Sequence, residues 1–167
     1  MTLQLRHRVS CLEHLEEYLT GEDVAYTIDE HPPCYTAQEL AQVEHISGRL
    51  IAKAVMIVAD NNPVMVVVPG VAKVDLAAVR RALGVEEARL AVENEFGHLF
   101  PDCEVGAMPP LGNLYGVPVL VDAALERDPV IFFSVGSHRQ TITMTYADYA
   151  RLVQPAVGAF AKKSATA

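Results

Sequence analysis

The chain has 167 residues, 51% of them apolar, and a formal charge of −8, which sizes it for one domain that folds around its own core without a metal or disulfide. Its longest apolar run, residues 54–59, falls far short of the roughly 20 that span a bilayer. The acidic balance excludes a protein that grips long stretches of nucleic acid or reads DNA sequence through many Lys and Arg contacts, though it leaves room for binding one nucleic-acid end.

The N-terminal stretch MTLQLRHRVSCLEHLEEYLT has basic residues but no continuous apolar segment. It reads as an amphipathic helix rather than a signal peptide, and a soluble, cytoplasmic protein is expected. Val9, Leu12, Leu15 and Leu19 recur at helical spacing, which predicts a helix over 6–20 closed by Gly21. Residues 24–29 alternate as a short strand does. His31-Pro32-Pro33-Cys34-Tyr35 cannot be helical through its prolines, and Thr36 with Glu39 three residues later forms a capping box that starts a second helix near Ala37.

Residues 50–59 and 64–68 are apolar and β-branched, and Asp60-Asn61-Asn62-Pro63 between them is hairpin chemistry, so two antiparallel strands are predicted. Asp75 caps a helix that carries Leu76, Val79 and Leu83 and ends at Gly84, and a further, charge-rich helix is expected over 86–96. Strands follow at 117–121, 130–134 and 141–145, then a helix over 147–153. The domain is expected to span 1–160, with 161–167 as a disordered tail. Hairpins mixed with irregularly spaced helices favour a mixed sheet over a parallel doubly wound one, and the pattern alone reaches an α+β fold.

Cys11, Cys34 and Cys103 are odd in number and far apart in sequence, which suits neither a disulfide framework nor paired zinc ligands, so free thiols are expected. None has a recognisable activating context for a nucleophile. Glu93, Glu95, Asp102 and Glu104 form an acidic cluster that reads as a solvated face and cap in preference to a metal site. No metal or cofactor is expected.

Lys53 is unusual, because it sits inside a strand whose same-face neighbours are Val55, Ile57 and Ala59. Either its ammonium snorkels to water along an aliphatic stem, or it is an amine held at a pocket rim to meet a phosphate or a polarised carbonyl. The segment GAMPPLGNLYG, residues 106–116, packs three glycines and two consecutive prolines between apolar runs. It reads either as a rigid crossover or as a binding loop whose exposed N–H groups are held at the angle that stabilising an oxyanion requires. His31 projects from a stiff extended segment that could build one end of a pocket. Gly136-Ser137-His138 is a hairpin turn that could contribute His138 to the same pocket. Ser137 and His138 are adjacent and on a strand would point opposite ways, which excludes a serine-hydrolase pairing.

These pieces taken together resemble the YbaK/ProX family of aminoacyl-tRNA deacylases, which is similar to the editing insertion domain of bacterial prolyl-tRNA synthetases. The resemblance rests on His31-Pro-Pro-Cys-Tyr-Thr-Ala-Gln-Glu39, on Lys53 within Ile51-Ala-Lys53-Ala-Val-Met-Ile-Val58, on Val74-Asp-Leu76 followed by Leu83-Gly84, and on Gly106-Ala-Met-Pro-Pro110-Leu-Gly112 as a GxxxP loop. In order and spacing they cover about residues 6–155. The resemblance implies a compact domain around a mixed, mostly antiparallel, barrel-like sheet surrounded by helices, with a pocket between the GxxxP loop and the strand lysine. It implies hydrolysis, in trans, of the ester that joins a wrong amino acid to tRNA, with no obligatory cofactor.

By motif position Lys53 and Gly106 take the catalytic places, while Ala107, Met108, Pro109 and Pro110, with His31, Gly136, Ser137 and His138, are candidates for holding substrate. The partner implied is the acceptor end of an aminoacyl-tRNA, that of proline foremost, with prolyl-tRNA synthetase as a possible second partner. Where some cysteine-directed relatives carry an acidic residue after Gly136, this chain has Thr141. The competing reading is a non-catalytic module that binds an aminoacylated or nucleotide end in the same pocket.

Overall fold

The computed structural model describes residues 10–162. Helix α1 (Cys11–Gly21) is capped by Ser10, whose hydroxyl accepts from the Glu13 N–H, and it buries Cys11, Leu15 and Leu19 on one face. The portion of the expected first helix before residue 10 lies outside the described residues. Strand β1 (Thr27–Glu30) and helix α2 (Ala37–Glu44) follow. Thr36 caps α2 through the Glu39 N–H, and the Glu39 carboxylate takes the Tyr35 N–H, so the capping pair closes one residue earlier than the usual box.

Strands β2 (Ala52–Ala59) and β3 (Asn62–Pro69) form the expected hairpin, in register from Ala52 opposite Pro69 to Ala59 opposite Asn62. Asp60 and Asn61 both take positive φ, 43° and 69°, as a two-residue turn of primed type needs. Helix α3 (Leu76–Leu83) runs from its Asp75 cap to Gly84 in the left-handed region.

The helix expected over 86–96 is not formed. That segment holds a short strand, β4 (Ala88–Leu90), and one helical turn, α4 (Glu93–Phe96). The Asp60 carboxylate accepts from the N–H groups of Glu86 and Glu87, which draws the chain alongside β2, and β4 then pairs antiparallel with Ile57, Val58 and Ala59. Charge-rich sequence carries helical propensity, but a free sheet edge and a carboxylate aimed at its backbone outweigh that preference.

Strands β5 (Val119–Asp122), β6 (Val130–Ser134) and β7 (Gln140–Thr145), helix α5 (Tyr146–Val153) and a last short strand, β8 (Ala156–Gly158), complete the fold. Sequence pattern missed β8, which is only three residues long. Ala161 bridges Val74, and the Lys162 N–H donates to the Lys73 carbonyl, so the chain is still hydrogen-bonded past residue 160.

The strands form two sheets rather than a closed barrel. One has the order β1-β7-β6 and is antiparallel throughout; the other has the order β4-β2-β3-β5-β8, with parallel pairings of β5 to β3 and of β8 to β5. Among the described residues, a single parallel bridge, Ile51 to Phe132, joins them. The expected mixed, mostly antiparallel α/β fold is thus present, with its sheet split in two.

Strand β3 is buried on both faces, which is why its sequence shows no alternation. Met65 and Val67 join Ala52, Met56, α1 and α5 in the main core, whereas Val64, Val66 and Val68 pack with Ile57, Val79 and Phe160 under α3. Each such aliphatic side chain contributes roughly 1.5–3 kcal/mol by leaving water. A third small cluster of Cys34, Leu40 and Ile51 seats α2 against the start of β2.

Candidate functional site

A cavity of about 330 Å³ opens where these units meet, lined by the start of β2, the N-terminal end of α2, the 106–108 loop and the end of β6. Lys53, Gly106, Met108 and His138 stand on its wall, together with Cys34, Tyr35 and Ser134.

Lys53 lies opposite Val68 in the hairpin, and its ammonium donates a 2.6 Å hydrogen bond to the Ala72 carbonyl. Burial, with a lesser push from the Lys73 charge, lowers its pKa. Neither sequence reading of Lys53 anticipated the carbonyl. It uses one of the three ammonium donors and leaves two.

Gly106 has φ of +82°, a conformation that strains other residues, and an added Cβ there would meet only the His138 ring edge at 3.6 Å. The glycine is therefore required by backbone geometry rather than by crowding. Among the described residues, no protein group accepts a hydrogen bond from the Gly106 or Met108 N–H. The rest of the loop is rigidly held. The Ala107 N–H donates to the Glu104 carbonyl, its own carbonyl takes the Gly136 N–H at 2.6 Å, and the buried Tyr149 hydroxyl donates to the Pro110 carbonyl at 2.6 Å. Ala107, Pro109 and Pro110 are buried beside the cavity without lining it.

His138 donates its Nε2–H to the Val105 carbonyl at 2.9 Å, which leaves Nδ1 as the ring's acceptor. Its ring packs at 4.8 Å on that of Tyr35, which is 69% exposed at the cavity edge. The Cys34 N–H donates to the His138 carbonyl and fastens the two segments together.

Three of the sequence candidates stand elsewhere. His31 donates from Nδ1 to the Pro32 carbonyl and accepts at Nε2 from the buried Thr141 hydroxyl, both at 2.8 Å, and so locks its extended segment onto β7 without reaching the cavity. Ser137 accepts from the Arg139 N–H within its turn. Gly136 faces a different cleft, its Cα packed against Cys11. The acidic cluster also divides. Glu95 pairs with Arg89, Glu104 accepts from the His138 N–H, and Asp102 accepts from the Tyr115 hydroxyl.

Sequence reasoning did not single out Tyr35, Cys34 or Ser134 for the wall. The signal for Tyr35 was present: an aromatic just before the Thr36 cap follows two prolines that hold its segment extended. Chemically, the cavity wall carries a cation, an imidazole and an exposed ring, together with two loop residues whose N–H groups have no protein acceptor among the described residues.

A family model for the "Aminoacyl-tRNA editing domain" matches residues 31–152. Among solved structures, a protein described as a candidate trans-editing enzyme for prolyl-tRNA synthetase superposes with a TM-score of 0.81 at 22% identity, covering 92% of this chain and 98% of its own. The hypothetical protein APE2540 gives a TM-score of 0.81 at 19% identity, over 89% of this chain and 99% of that one. A candidate signal-transduction protein from Marinobacter aquaeolei VT8 gives 0.71 at 17% identity, over 92% of this chain but only 31% of its own, so the same fold also occurs as one part of a larger chain. At these identities the likeness to solved structures is one of fold.

Proposed function

The chain belongs to the aminoacyl-tRNA editing domain family, and we propose that it is a deacylase that hydrolyses, in trans, the ester of misacylated tRNA. The substrate we propose is tRNA for proline carrying a small wrong amino acid such as alanine, serine or cysteine. The observation that carries this reading is the convergence on one cavity of about 330 Å³ of Lys53 with Gly106 and Met108, whose N–H groups have no protein acceptor among the described residues.

Ester hydrolysis needs a water near the carbonyl carbon and donors where negative charge develops on the carbonyl oxygen. The Gly106 and Met108 N–H groups are fixed by φ and by the prolines that follow, so they serve as oxyanion donors with no reorganisation. Lys53, with two ammonium donors free, holds the terminal ribose-phosphate or the ester carbonyl. His138 accepts at Nδ1 from the attacking water, and Met108 sets the depth of the amino-acid pocket.

The exposed Tyr35 ring offers the terminal base a stacking surface. The start of α2, which lies on the cavity wall, favours the phosphate. A chain of net charge −8 can work in this way because it needs only the acceptor end. We also propose that prolyl-tRNA synthetase supplies the remaining grip on the tRNA.

Single-turnover hydrolysis of tRNA for proline charged separately with alanine, serine, cysteine, 2-aminobutyrate and proline tests the reading. Fast loss of one wrong amino acid with proline spared is expected. Binding of these tRNAs without hydrolysis of any would replace the deacylase with a binding module.

A further inference from the structure

Beside the proposed site lies a group of side chains that hydrolysis does not use. The Cys103 thiol donates to the Cys11 sulfur at 3.1 Å, across 92 positions of sequence. The Tyr115 hydroxyl sits 3.5 Å from both sulfurs and 3.2 Å from an Asp102 oxygen. Cys11 is buried in the first turn of α1; Cys103 is half-buried on the wall of a second cleft, of about 780 Å³, that Gly136 also lines. The hydrogen bond from Cys103 lowers the pKa of the Cys11 thiol against the opposing effect of burial.

We propose that Cys11 and Cys103 are a peroxide-oxidisable pair whose disulfide slows the deacylase site. One thiol of the pair, as its thiolate, attacks one peroxide oxygen and the O–O bond breaks. The sulfur becomes a sulfenic acid, and the departing hydroxide takes up the proton released when the thiolate formed. The other thiol then attacks that sulfur, the S–S bond forms, and the sulfenic oxygen leaves as a second water with that thiol's proton. Two thiols are oxidised by two electrons and one peroxide is reduced to two waters.

The link to the site runs through Gly136. A Cβ on Gly136 would stand 2.2 Å from the Cys11 Cβ, so this turn rests directly on the cysteine. The Gly136 carbonyl accepts from the Glu104 N–H at 2.7 Å, next to Cys103, and the Gly136 N–H donates to the Ala107 carbonyl at 2.6 Å, next to Gly106. Closing the sulfurs from 3.1 Å to a bond of about 2.05 Å draws α1 and the 103–107 segment together across the Gly136 turn that both contact. A displacement of about 1 Å at a reacting centre can cost on the order of a hundredfold in rate. Cys11, Asp102 and Cys103 also place donor atoms within 4.8 Å of one another. Zinc–sulfur bonds of about 2.3 Å in a tetrahedral site would hold the two sulfurs about 3.7 Å apart, and the shorter thiol–thiol contact favours the disulfide over a metal.

The rate effect rests on the deacylase reading; the cross-link does not. Reduced protein is treated with hydrogen peroxide, its remaining thiols are alkylated, and its peptides are mapped without reduction. A Cys11–Cys103 linked peptide is expected, reversed by dithiothreitol, absent from Cys11→Ser and Cys103→Ser proteins and retained in Cys34→Ser. Single-turnover deacylation by the wild-type protein should fall at least about fivefold on oxidation and return on reduction, while the rate of the Cys103→Ser protein should not respond to oxidation.

If neither redox form hydrolyses any substrate, the deacylase reading fails by itself. The cross-link, with an altered exchange rate of the Gly136 and Ala107 amide protons, then upholds the device. Separate sulfinic acids on the two cysteines, protection of both by co-purified zinc, or a complete cross-link that leaves an active enzyme's rate unchanged would each overturn the proposal.

Discussion

The Tyr149 hydroxyl, carried by α5 and fully buried, donates to the Pro110 carbonyl at 2.6 Å and so ties the last helix to the end of the cavity loop. Tyr149→Phe leaves that carbonyl buried without a partner, at a cost of about 1–3 kcal/mol measured by urea unfolding. The same variant should lose deacylation beyond its stability loss, because the loop's N–H groups are aimed through Pro110. Equal stability and equal rate would show that the prolines alone fix the loop.

Lys53→Ala should lower single-turnover deacylation by at least about a hundredfold, the scale of deleting one preorganised donor. Lys53→Met, which keeps the aliphatic stem, should fall as far while melting near the wild type. Full activity in either well-folded variant would remove Lys53 from the reaction.

Met108 lines the cavity and also packs into the main core. Met108→Ala and Met108→Phe should shift the preferred amino acid in opposite directions of size, by about 10- to 200-fold for one methylene. The comparison is made where both variants remain folded, since truncation here costs about 2–5 kcal/mol. An unchanged substrate profile would take Met108 off the pocket wall.

The Arg89 guanidinium forks onto Glu95 at 2.8 and 2.6 Å, and with the Val92 N–H it holds the Glu95 carboxyl down at about 2. A depressed carboxyl stabilises the fold above its ordinary value of 4.5, and that contribution is lost as pH falls through the folded value. Carboxyl NMR should place the Glu95 midpoint near 2. The difference in melting temperature between wild type and Glu95→Gln should shrink as the pH approaches that midpoint. An ordinary midpoint would mean that the fork does not persist in solution.

Much of this arrangement was legible in the sequence because local chemistry decides it. Thr36, Asp75 and Gly84 cap helices in the structure as their residue types require, and Asp60-Asn61 turns the hairpin. The 86–96 segment was misread because the forces that straighten it, the Asp60 carboxylate and the edge of β2, come from distant sequence. His31 shows the same limit: its proline setting predicted a stiff segment, but only the fold brings Thr141 beneath the ring and turns a pocket candidate into a brace. The pairing of Cys11 with Cys103 left no trace in sequence spacing, since it depends on where α1 docks.

The bridge between Ile51 and Phe132 also bears on how this fold can diversify. One wall of the cavity comes from β2 and the other from the end of β6, two ladders that otherwise keep separate hydrogen-bond accounts. A side chain that grows or shrinks along this seam changes the width of a gap without unzipping a strand pair. The two sheets share the main core, but their strand pairs do not interlock at this seam, so the cavity lining can change there while both ladders stay paired, and one scaffold can hold pockets of different width.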